Sequence, residues 1–162
     1  MAKPGIILML TVLAGLLPAA ARAGLSPLEA ISMIESGNND TAVGPAGEVS
    51  RYQIRPRVWR QLSESNAYED TAVASSVAQQ HLDWLYKFYK ERTGRVADDF
   101  DLYVMWNAGA DYYRRAGFAR DKVHPKISSR AERYVNLRQM RNVNTAAAVP
   151  AVSSAPEAHT AN

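Results

Sequence analysis

Apolar residues recur at threes and fours along most of the middle of the chain, and capping or turn residues bound each such run. Ser26-Pro27-Leu28-Glu29 combines a capping box with proline at the first helical position, so a helix is predicted to start there. Leu28, Ile31, Met33 and Ile34 give it an apolar face, and Gly37-Asn38-Asn39-Asp40 ends it. Residues 38–54 read as a polar loop, with any sheet limited to a small hairpin around residues 47–55. Pro56 opens a short helix carrying Val58, Trp59 and Leu62.

Val73, Val77, His81, Trp84, Leu85 and Phe88 then mark the longest helix, about Asp70 to Arg92, with Trp84, Phe88 and His81 read as core. Asp98 or Asp99 can cap a further helix through Leu102, Met105 and Trp106, which Gly109 interrupts. A last helix is expected from about Ser128 to Arg141, with Ala131, Tyr134, Val135 and Leu137 on its apolar side. The pattern predicts an all-α fold (α+β at most) in one domain.

The ends do not share this pattern. Lys3, the apolar run Ile6 to Leu17 and Ala21-Arg22-Ala23 read as a secretory signal over residues 1–23, too short to span a bilayer comfortably. Residues 144–162 are mostly Ala, Val, Pro, Ser and Thr, with one acid and no Lys or Arg, the composition of a disordered tail. The domain is therefore expected over 24–143, in a periplasmic or secreted protein.

Charge and cysteine content narrow the chemistry. Loss of Lys3 and Arg22 with the signal leaves 17 basic against 16 acidic residues, so the high isoelectric point is no argument for nucleic-acid binding. The chain has no cysteine, which excludes a disulfide framework. The spacing of the three histidines suggests no metal site, and no cofactor is implied.

One residue stands out. Glu35 closes an otherwise apolar helix face, where Ile31 and Ile34 would desolvate its surroundings, although from the residues alone it could instead be a helix-end glutamate reaching past its neighbours into water. A carboxyl kept protonated near neutral pH is what glycosidic cleavage requires, because the leaving sugar oxygen must receive a proton.

Four segments in order, Glu35-Ser36, Gly47 to Pro56 with Gln53 inside it, Trp106-Asn107-Ala108-Gly109 and Arg133-Tyr134-Val135, resemble the motifs of the soluble lytic transglycosylase and goose-type lysozyme superfamily. The resemblance spans nearly the whole domain. It implies a lysozyme-like helical fold, peptidoglycan glycan strands as substrate and Glu35 as catalytic acid/base. It also implies that Ser36 sits beside the bound sugar, Gln53 lines the cleft, Asn107 faces the saccharide, Gly109 permits close backbone approach and Tyr134 hydrogen-bonds the catalytic carboxyl. From the residues alone, Gln53 could instead satisfy loop backbone, Asn107 could be a helix cap and Tyr134 an ordinary core tyrosine. The chain departs from the superfamily at Arg51-Tyr52, where Leu-Met is usual, and at Arg130-Ala131, where Glu-Thr is usual.

Glu48 is a secondary candidate. Facing Glu35 across a water-sized gap it could act as general base in inverting hydrolysis; paired with Arg51 or Arg55 it would only hold the loop. Asp40 is a weaker one, and Tyr112-Tyr113 are placed for substrate. The expected function is cleavage of the β-1,4 bond between N-acetylmuramic acid and N-acetylglucosamine, forming 1,6-anhydromuramyl ends. The alternatives are a lysozyme- or chitinase-like hydrolase and a catalytically silent glycan-binding module of an envelope or secretion machine. A monomer is expected.

Overall fold

The computed structural model describes residues 24–140, so the signal segment and the tail lie outside the described residues. Six α-helices follow one another: α1 Pro27–Glu35, α2 Pro56–Leu62, α3 Thr71–Thr93, α4 Asp99–Ala108, α5 Ala110–Arg115 and α6 Pro125–Gln139, with a 3₁₀ turn at Arg120–Lys122. The fold is helical. Among the described residues, no helix is long and apolar enough to cross a membrane.

Local chemistry sets the ends of these helices. The Ser26 hydroxyl accepts from the Glu29 amide and the Glu29 carboxylate accepts from the Ser26 amide at 2.7 Å, closing the box on α1. Asp70 caps α3 by accepting from Ala72 and Val73, and Gly94 ends it in the left-handed conformation. Asp98 rather than Asp99 caps α4, accepting from the Asp101 amide. Gly109, at φ 91°, breaks the path between α4 and α5. α6 starts three residues earlier than expected, because Pro125 supplies a fixed φ at its first position and the His124 ring accepts from the Lys126 amide.

Within the limit of a small hairpin expected over residues 47–55, the described residues form a single antiparallel bridge between Val49 and Ile54, since Ser50 and Gln53 take positive φ and turn the chain before a ladder can form. One expectation about the core needs correction. Trp84 is no core residue: its accessible fraction is 48 %, while Leu82 and Leu85 carry the buried stripe of α3.

α4 is the centre of the molecule. Phe100 to Met105 are all buried, as in a helix covered on every side. It packs on α6, α5 and α3, while α1 lies on α6 and α3. This arrangement brings the C-terminal end of α1 against α4 and α6, and with it Glu35.

Candidate active site

Glu35 is the last residue of α1, and its side chain keeps only 8 % of its surface. Its carboxylate does not stand alone. Oε1 accepts from the Tyr103 hydroxyl at 2.5 Å and from Asn107 Nδ2 at 3.3 Å, and Oε2 accepts from the Arg130 guanidinium at 2.8 Å. Tyr103 and Asn107 lie four residues apart on α4 and so share one of its faces. Arg130 comes from α6, and its Nε donates to the Tyr103 hydroxyl at 3.2 Å, closing a ring of three groups, Glu35, Tyr103 and Arg130.

The protonation of the partners is clear. Burial, then the charge and hydrogen bond of Glu35, push the Tyr103 phenol far above its ordinary range, so it remains a donor. Partial burial works against the charge on Arg130, but Glu35 and Tyr103 outweigh it and hold the guanidinium above its ordinary range. The expected desolvation by Ile31 and Ile34 is only part of the environment: Glu35 also sits in a charged network, because α6 delivers Arg130 to it. Charge-assisted bonds of this kind fix the carboxylate in place. The Arg130 side chain is 35 % exposed, so the network reaches solvent on the Oε2 side.

The network opens on a cavity of about 220 Å³ lined by Glu35, Pro45, Glu48, Gln53, Trp106, Asn107 and Arg130. Two carboxylates, two carboxamides and a guanidinium beside an indole make a lining suited to a ligand bearing many hydroxyls. Trp106 is held by its Nε1 donating to the Tyr52 carbonyl. Glu48 accepts from the Ala46 amide at 3.0 Å and lies 3.8 Å from exposed Arg55, a loose pair that leaves it facing the cavity. Arg51 is engaged elsewhere, with Asp40 at 2.7 Å, so Asp40 is a loop brace. A Cβ at Gly44 would meet Glu48 Oε2 and Gln53 Oε1, so a larger residue there would have to push both side-chain ends aside.

The remaining candidates divide. Gln53 reaches the cavity, but its amide nitrogen donates to the Ala42 and Ser50 carbonyls, so it also holds the loop. Ser36 clamps the loop to α1, donating to the Arg51 carbonyl at 2.8 Å and accepting from the Asn39 amide. Gly109 turns the chain and does not line the cavity. Tyr134 does not touch Glu35: it is fully buried, its hydroxyl has no partner among the described residues, and it stacks on Tyr103 at 5.1 Å. The tyrosine that bonds the carboxylate is Tyr103. Tyr112 and Tyr113 are not at the cavity either, since Tyr113 is buried against Asp101 and the Tyr112 hydroxyl accepts from the His124 amide.

Compared with known protein families, characterised proteins and solved structures, the chain finds no match. What it can do is read from the site. Tyr103 and Arg130 at Glu35, and Trp106 in the cavity lining, are the candidate site residues to which sequence reasoning gave no role. The four-residue spacing of Tyr103 to Asn107 and of Arg130 to Tyr134 was the available signal, since each pair marks one helix face.

Proposed function

We propose that the chain is an exported, lysozyme-like enzyme of the lytic transglycosylase type, cleaving the β-1,4 bond between N-acetylmuramic acid and N-acetylglucosamine in peptidoglycan. The observation that carries this reading is the nearly buried Glu35 carboxylate, fixed by Tyr103, Asn107 and Arg130 at the wall of a polar cavity. Arrival of a glycan displaces Arg130 from Oε2, and Glu35 in its acid form protonates the glycosidic oxygen as the bond to the anomeric carbon breaks. The resulting carboxylate then takes the proton of the muramyl 6-hydroxyl while that oxygen bonds to the anomeric carbon. This closes the 1,6-anhydro ring and restores the acid. An intramolecular nucleophile has a high effective concentration, so a second carboxylate is not required.

A second reading has a specific observation in its favour: Glu48 lines the same cavity with only a loose ion pair. It would activate water, giving hydrolysis with inversion. Digestion of purified peptidoglycan and mass analysis of the muropeptides separates the two. Anhydro ends, lighter by one water and not reduced by borohydride, are expected, with Glu48→Gln keeping substantial turnover. Reducing ends with an inactive Glu48→Gln would move the assignment to hydrolysis. Glu35→Gln should lower turnover by ~10²–10⁴-fold with the thermal transition kept. Turnover within a few-fold of wild type would remove Glu35 from the chemistry, and sacculus binding without any turnover would make the chain a binding module.

A further inference from the structure

Beside the cavity, aromatic rings continue onto the outer face of α3. Trp106, which lines the cavity, meets His81 at 5.0 Å between ring centroids. His81 stacks near-parallel on Trp84 at 5.9 Å, and Trp84 on Phe88 at 5.2 Å. The three α3 residues follow one another at helical spacing, so the row runs about 10 Å along the helix. Burial depresses the His81 imidazole to about 4, which keeps the row uncharged near neutral pH.

Trp84 is the anomaly in this row. Among the described Trp, Tyr and Phe side chains it is the one left largely exposed, at 48 %. Exposed polar residues Gln80 and Lys87 stand one turn to either side of it, and the Arg92 guanidinium lies over Phe88 at 5.6 Å. A large amphipathic ring flanked by hydrogen-bonding groups suits a ligand with alternating apolar and hydroxyl faces. Continuity with the Glu35 cavity through Trp106 says which ligand that is.

We propose that Trp106, His81, Trp84 and Phe88 form an aromatic track that holds the part of a polysaccharide strand lying outside the Glu35 cavity, with Trp84 as its outer stacking platform. The proposal rests on the glycan reading of the Glu35 site. It gives the enzyme a preference for long strands over short oligosaccharides, because only a long strand reaches both the cavity and Trp84.

Binding is measured apart from turnover, on the full chain carrying Glu35→Gln, with purified peptidoglycan sacculi and with short and long β-1,4-linked N-acetylglucosamine oligomers as probes. Adding Trp84→Ala should weaken sacculus binding about tenfold, the usual cost of losing an anchoring tryptophan, with the penalty growing with oligomer length. Trp84→Phe should recover most of it. In the Glu35→Gln protein itself, the Trp84 indole N–H resonance should shift on titration with the long oligomer, a readout that needs no folded alanine variant. Wild-type turnover of sacculi with no effect of Trp84→Ala on binding and no indole shift would overturn the track and leave the enzyme reading standing. Trp84-dependent binding without wild-type turnover would do the reverse, and no glycan binding at all would sink both. Loss of self-association instead of glycan binding in Trp84→Ala would make this face a contact between copies and overturn the proposal.

Discussion

Both oxygens of the Glu35 carboxylate are taken, and the residues that take them come from two other helices. Tyr103 is the shortest of these contacts, at 2.5 Å. Tyr103→Phe keeps the ring and its stack on Tyr134 but removes the donor, so turnover should fall roughly 5- to 150-fold, from the ~1–3 kcal/mol that such a hydrogen bond contributes. A rate equal to wild type would show that Asn107 and Arg130 alone orient the carboxylate. Arg130 has a different role, compensating a charge that has little water around it. Arg130→Met leaves that charge without a counter-ion and should destabilise the protein by about 1–3 kcal/mol, less than a fully buried pair because the guanidinium is partly exposed. Glu35→Gln in the same background should recover part of the loss, since a neutral amide needs no counter-charge. Urea denaturation of the four proteins checks this, and strictly additive losses would mean that the pair is not coupled.

At the scale of an element, α3 presents two faces with different duties. Val77, Ala78, Leu82 and Leu85 are buried against the rest of the helices, while His81, Trp84 and Phe88 run along its flank. Burial holds His81 at about 4 in the folded protein against an ordinary value of 6.5, so the unfolded chain binds its proton more readily. The contribution is therefore intact above about pH 6.5 and is lost as the pH falls towards 4, by up to roughly 3 kcal/mol. His81→Phe keeps an aromatic ring in the row and removes the titration. Its melting temperature should fall less than that of the wild type between pH 7 and pH 4.5, and parallel curves would show that His81 ionises without penalty. The loop between α1 and α2 is built on another principle, a net of backbone acceptors served by Ser36, Gln53 and Arg51. The resemblance assigned Ser36 and Gln53 to sugar, yet their hydrogen bonds go first to the loop that forms the cavity wall.

The whole fold is organised around α4, and the two ends of the described residues meet on one side. The Leu25 amide donates to the Leu137 carbonyl at 3.2 Å, and the Arg138 guanidinium donates to the Leu25 carbonyl. Gly24 lies so close to α6 that a Cβ there would strike the Arg138 carbonyl, a backbone group that cannot swing away. Gly24→Val should therefore undock this segment and lower the melting temperature by about 5 °C, the equivalent of roughly 1 kcal/mol for a domain of this size. An unchanged transition would mean that the contact contributes nothing to the folded state in solution. A polar cluster with a buried inner half ties α5 and the 3₁₀ turn to the same centre: buried Tyr113 donates to buried Asp101 at 2.8 Å, and exposed Arg120 pairs with Asp101 and Asp98. With α4 held by both its flanks, Tyr103 and Asn107 have little freedom, which is the condition a preorganised site requires.

The sequence by itself determined where the helices begin and end, because those signals act within a few residues. Ser26 with Glu29, Pro56, Asp70, Gly94 and Gly109 each satisfy, omit or redirect a backbone group close by. His124-Pro125 belonged to the same class, and the start of α6 was legible there although periodicity alone placed it later. Glu35 too was legible, as a charge at the end of an apolar face. What only the tertiary structure decided is which groups meet it. Tyr103 lies 68 residues away and Arg130 lies 95 away, and the pairing depends on how α4 and α6 rotate and slide against α1. Periodicity marks an apolar face without saying whether another element covers it, so it drew Trp84 into the core; for Tyr134 it gave the core position the structure shows, and it was the resemblance that drew its hydroxyl to the carboxylate. Packing of α6 turned Tyr134 inward beside Tyr103 and set Arg130, one turn earlier on the same face, against Glu35; the flank of α3 that carries Trp84 was left open to solvent.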